Sequence, residues 1–133
     1  MTPQDAADTA KAYLNQINRL DVHIRIYNSE LSHYNKMQRE YGEILDLSAM
    51  LRRQRHAYGK KLDNARRERQ NIIDQLDALE DPTGEILKSI YVKHQTIYAI
   101  ADRLYYGYST IHKKHRDGLM EFYSRYLADG QPE

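Results

Sequence analysis

The chain has no cysteine and no tryptophan, one phenylalanine, three prolines and six scattered glycines. Without cysteine there is no disulfide framework, no thiolate nucleophile and no soft metal ligand. Proline falls only at positions 3, 82 and 132, so the stretch from 4 to 81 carries no such helix breaker. The glycines form no phosphate-cradling loop, and neither HExxH nor GxSxG occurs. The carboxylates form no pair suited to acid–base work, and an enzyme is not expected. No apolar run approaches the roughly 20 residues of a membrane helix, and no signal peptide is visible. A cytoplasmic protein without a membrane partner is expected.

What is present is polar, charged and rich in tyrosine. Of 133 residues, 41% are hydrophobic and 29% charged, with a mean hydropathy of −0.85. That balance suits long, solvent-exposed helices better than a compact globule. The net charge of +1 says nothing for a polyanion, but its distribution does. From Arg52 to Arg69, eight basic residues face only Asp63 and Glu68. From Lys88 to Arg116, six basic residues face Asp102 alone. The first run is by default a solvated helix face; a phosphate surface or a polymerase contact is the alternative.

Thr2-Pro3-Gln4-Asp5 is a helix start, with a cap, proline at the first position and acid in the first turn. Apolar residues then recur in steps of four and three: Ala6, Ala10, Tyr13, Ile17, Leu20, Ile24, Tyr27, Leu31, Tyr34, Tyr41 and Leu45, with Gln38 the exception. This is a heptad seam. The pattern weakens at Gly42 and Asp46-Leu47-Ser48, which predicts a bend between about 46 and 56. A second seam follows at Tyr58, Leu62, Ala65, Arg69, Ile72, Leu76 and Leu79, with Arg69 its weak point. The two helices should form an antiparallel hairpin, or pair with those of a second copy. Asp81-Pro82 predicts a fresh helix over about 83–93, capped by Asp81, presenting Ile86, Leu87, Ile90 and Tyr91.

The stretch from Thr96 to Leu119 organises the rest. Ile97, Ile100, Ala101 and Leu104 share one helical face, and a turn follows at Tyr105-Tyr106-Gly107-Tyr108. A second helix starts near Ser109, with Ile111, His115, Leu119 and Phe122 inward. Its outward face carries Ser109, Thr110, His112, Lys113 and Arg116. This is the layout of a helix-turn-helix.

Ile100-Ala101-x-Arg103-Leu104, Tyr106, Thr110-Ile111 and Gly118-Leu119 resemble region four of bacterial RNA polymerase sigma factors, without a gap. The run from Tyr106 to Leu119 is similar to sigma-region-four-like regulators of phages and prophages, neighbours of late-gene activators of the ArpU and RinA type. The likeness covers about the last third of the chain. It implies a transcription regulator in a bacterial host cytoplasm, with double-stranded DNA and host RNA polymerase as partners. Tyr105 stands where sigma factors often carry glycine. Tyrosine is costly at positive φ, which predicts a turn of different shape. Tyr106 replaces an aliphatic residue and is expected in the core.

On this reading Lys113 and Arg116, one turn apart, contact bases or phosphate, and His112 assists. Ser109 and Thr110 suit a phosphate at the helix start, although Ser109 serves equally as a cap. Tyr108 touches the DNA backbone. The competing account is a solvated helix face. His112 and His115 are spaced for a shared metal but lack a third ligand, so His115 reads as a core residue and no metal or other cofactor is expected.

The sequence therefore predicts an all-α protein. Residues 1–80 form a coiled-coil-like hairpin for homodimerisation, 81–127 a three-helix DNA-binding unit, and 128–133 a frayed tail. The alternative is a helical adaptor that contacts RNA polymerase or another host protein without reading DNA.

Overall fold

The computed structural model describes residues 2–128, which contain six α-helices, a closing π-helical turn and no strand. Residues 129–133, most of the expected tail, lie outside the described residues. The chain divides into two compact units, residues 19–70 and residues up to 18 together with those from 71 on. This differs from the division at residue 80 expected from the sequence. The first helix packs against the last ones, a contact that spans nearly the whole chain and leaves no local trace.

The unit of residues 19–70 is built from α2 (Gln16–Tyr41) and α3 (Leu45–Asp77). They pair antiparallel, as three polar contacts show. Arg69 Nε donates to Asp21 at 2.6 Å, Arg66 to Asn28 at 3.4 Å and Arg55 to Asn35 at 2.7 Å. Arg69, the weak point of the second seam, is thus matched across the pair by a carboxylate. Tyr58 stacks on Tyr34 with ring centres 5.7 Å apart and lies 6.2 Å from Tyr27. These tyrosines are half-buried, with their aromatic bodies packed against one another. Tyr41, the last residue of α2, is exposed instead.

The reversal falls at 42–44, and the bend expected over 46–56 is continuous helix. A side chain at Gly42 would collide with the Gln38 carbonyl, so glycine marks the turn. Leu51 is fully buried and gives the start of α3 an apolar anchor.

In the other unit, α1 (Pro3–Leu14) begins as its sequence predicts. Thr2 Oγ1 accepts from the Asp5 N–H at 3.1 Å, and the Asp5 carboxylate accepts from the Thr2 N–H at 3.2 Å. Hydrogen bonds from Thr2 hold the Asp5 carboxyl below its ordinary value. The helix does not run unbroken into α2. It turns at Asn15, a residue type that competes for backbone groups inside helices. Ala7, Ala10 and Leu14 are buried, whereas Ala6 and Tyr13 of the expected seam are only half-buried. The shift arises because α1 has two neighbours. Tyr13 Oη donates to Gln75 Oε1 of α3 at 2.9 Å, and α1 also packs on α6.

α4 (Thr83–Tyr91), α5 (Ile97–Leu104) and α6 (Tyr108–Phe122) follow, and the π-helical turn is Tyr123–Leu127. Pro82 takes the cap position of α4 and no side chain caps it, so Asp81 does not have its expected role. Ile86 and Leu87 are fully buried and Tyr91 nearly so, as the helical spacing predicts. Thr96 caps α5, its Oγ1 accepting from the Ala99 N–H at 3.1 Å. Among the described residues no helix is long and apolar enough to cross a membrane.

Candidate nucleic-acid interface

The inner face of α6 is fixed by α1, α4 and α5. Ile111 is fully buried in a cluster with Ile86, Ile100 and Ala101, flanked by Ile90, Ile97 and Leu104. Further along, Gly118 lets α4 approach closely. A Cβ there would lie 2.9 Å from the Thr83 methyl. Phe122 is fully buried, its ring centre 5.6 Å from that of Tyr13 on α1.

With Ile111, Leu119 and Phe122 inward, helical geometry leaves Tyr108, Ser109, Thr110, His112, Lys113 and Arg116 exposed. All six residues singled out from the sequence therefore share the accessible part of one helix. Neither Lys113 nor Arg116 forms an ion pair among the described residues. Ser109 is not the cap: Gly107 holds that position, and the helix starts at Tyr108.

Two depressions flank this face. A groove of about 550 Å³ lies between α1 and α6, lined by Asp8 and Lys11 on one side and His112, Lys113, His115 and Arg116 on the other. A smaller one, about 450 Å³, is lined by Ser109, Thr110, Lys113, Lys114 and Asp117. Lys113 borders both. Asp8 and Asp117 temper the charge of the first groove, and Asp117 also borders the second.

The turn before α6 has the geometry that a glycine would favour. Tyr105 adopts φ 60° and ψ 35°, and its N–H donates to the Ala101 carbonyl. Tyr105 thus takes up the left-handed conformation itself, despite its side chain. The ring projects outward at 95% exposure and meets no steric obstacle. The left-handed conformation still costs about 1–2 kcal/mol, offset by the packing of both flanking helices. Tyr106 is not a core residue either. It is 37% exposed, with the Lys114 ammonium 5.3 Å from its ring centre.

Arg103, counted among the free basic residues in the sequence, is engaged. It donates to Glu85 at 2.7 Å, to the buried Ser89 hydroxyl at 2.6 Å and to Gln95 at 2.9 Å. It ties α5 to α4 and to the intervening loop, and its hydrogen bond holds the Glu85 carboxyl below the usual range. His115 is half-buried, with Nε2 2.8 Å from Tyr91 Oη. Burial, then the nearby Lys11 and His112 charges, lowers its pKa. Burial pushes the Tyr91 phenol up to about 12. A neutral imidazole accepting from the Tyr91 hydroxyl fits both shifts.

Sequence reasoning overlooked Tyr98. Its ring stacks on Tyr108 with centres 4.5 Å apart and planes 16° from parallel, and Tyr108 meets His112 edge-on at 4.5 Å. The Tyr98 hydroxyl raises the Tyr108 pKa through their hydrogen bond. The available signal was an aromatic residue on the outward side of the first motif helix. The α1 side of the groove had no signal, because Asp8 and Lys11 lie about a hundred positions away in sequence.

No protein-family model, curated protein or solved structure matches this chain.

Proposed function

We propose that this protein binds double-stranded DNA through the exposed face of α6 and acts as a small phage or prophage transcription regulator. The observation that carries the reading is the state of Lys113 and Arg116. They are exposed, unpaired among the described residues and one turn apart on a helix whose opposite face is anchored in a core. Unpaired cations on a rigid helix are available to phosphate and to guanine without first losing a carboxylate partner. Phosphate contacts from Ser109, Thr110 and Lys113 would set the register, while Arg116 and His112 reach base edges. Support comes from the short α5, the tight turn and α6, two helices joined as in a helix-turn-helix. Recruitment of host RNA polymerase follows as the mode of action, without enzymatic chemistry.

The test is the double variant Lys113→Ala, Arg116→Ala, titrated with DNA from upstream of its own gene at two salt concentrations. Specific binding should weaken by about 1–3 kcal/mol for the lost Arg116 base contact, and the salt slope should fall by about one for the lost Lys113 phosphate contact. Undiminished binding would remove α6 as the reading helix.

A protein–protein adaptor is the second reading, favoured by one feature. The α2–α3 turn exposes Tyr41, Ile44 and Leu45, the last at 86%. A partner such as RNA polymerase would cover such a tip. Undiminished DNA binding by the double variant, or none by the wild type, would favour this reading.

A further inference from the structure

Tyr98 is 67% exposed and Tyr108 42% exposed, yet their rings lie nearly parallel at stacking distance. One face of Tyr108 is covered by Tyr98, and its other contact is the edge-on His112. Among the described residues the Tyr98 ring has no aromatic neighbour except Tyr108, so the ladder ends at Tyr98, which is mostly exposed. Tyr108 begins α6, whose following residues Ser109, Thr110, His112 and Lys113 are exposed and polar. Protein-docking patches present contiguous apolar surface of several hundred Å². A flat, exposed ring stacked on the start of a helix that carries hydroxyls and cations has a different match, the π-face of a nucleobase whose phosphates meet the cations. Lys113 and Lys114 follow His112 directly on α6, which puts positive charge on the helix that carries the inner rungs.

We infer that the Tyr98–Tyr108–His112 ladder is a stacking site for an unpaired base, next to the duplex held by α6. This inference rests on the duplex-binding reading above. A base added to the exposed Tyr98 ring would extend the ladder by one rung. The protein would then favour DNA whose strands separate at the edge of its site. Neither tyrosine is among the buried core residues, so the stack is separable from the fold.

The experiment compares a blunt duplex with the same duplex carrying a single-stranded thymine tail, using the full chain. Wild type should bind the tailed duplex more tightly. Tyr98→Ala should lose about tenfold in affinity for the tailed duplex and leave the blunt duplex unchanged. Tyr98→Phe, which keeps the π-face, should retain the preference, and both variants should melt as wild type does. Equal wild-type affinity for the two DNAs, or an equal loss on both in Tyr98→Ala, overturns the stacking site while leaving the duplex reading standing. Failure of wild type to bind either DNA overturns both.

Discussion

His115 and Tyr91 form a tightly placed titratable pair beneath α6. The His115 ring is faced by Tyr91 from α4, Lys11 from α1 and His112 from its own helix. Burial and those positive neighbours depress its folded pKa below the ordinary 6.5. The unfolded chain therefore binds a proton that the folded chain refuses. Its contribution to stability is complete above pH 6.5 and is lost as pH falls through the folded pKa. Protonation also takes away the acceptor that the Tyr91 hydroxyl uses. Melting curves from pH 8 to 5 should show a decline below about 6.5 that is shallower in His115→Gln, since glutamine does not titrate. Identical slopes in the two proteins would show that His115 is not held neutral.

Among the elements, α6 has the most exacting position, because α4 approaches it at a residue with no side chain. In an exposed helix, alanine for glycine gains about 1 kcal/mol. At Gly118 the sign should reverse, because the new methyl would lie 2.9 Å from the Thr83 methyl and 3.5 Å from Leu87. Overpacking of this kind costs about 1–3 kcal/mol, so Gly118→Ala should lower the melting temperature. Adding Thr83→Ser removes the opposing methyl and should recover most of the loss. A rise in melting temperature for Gly118→Ala alone would mean that α4 yields without cost. DNA binding should weaken in the single variant only as far as α6 is displaced.

For the whole molecule, the seams expected to join two copies are used within one chain. Leu20, Leu62 and Ala65 are buried in the α2–α3 pair. A homodimer that keeps this pair intact would use a different face of these helices. Val22 and Ile26, one turn apart on α2, are 42% and 49% exposed and are the best apolar candidates. Sedimentation equilibrium should show a dimer for wild type and a monomer for Val22→Glu, Ile26→Glu, with helical content unchanged. A wild type that stays monomeric at high concentration would exclude this face as a self-association surface.

Local patterns were enough for the helical class, the capped start of α1, and the faces of α4, α5 and α6. Each depends on residues within one or two turns, where spacing and capping act directly. The position of the α2–α3 turn was legible only in part. Gly42 signalled it, but the polar stretch at 46–48 competed, and only the burial of Leu51 against its neighbours kept that stretch helical. Composition made Arg103 look like a free cation, and only the packing of α5 on α4 brought it to Glu85 and Ser89. Tyr105 entered the left-handed region because two packed helices required a short turn there, against its own preference. The groove beside Lys113 and Arg116 exists because α1 folds back on α6, and contacts so distant in sequence are set by tertiary burial.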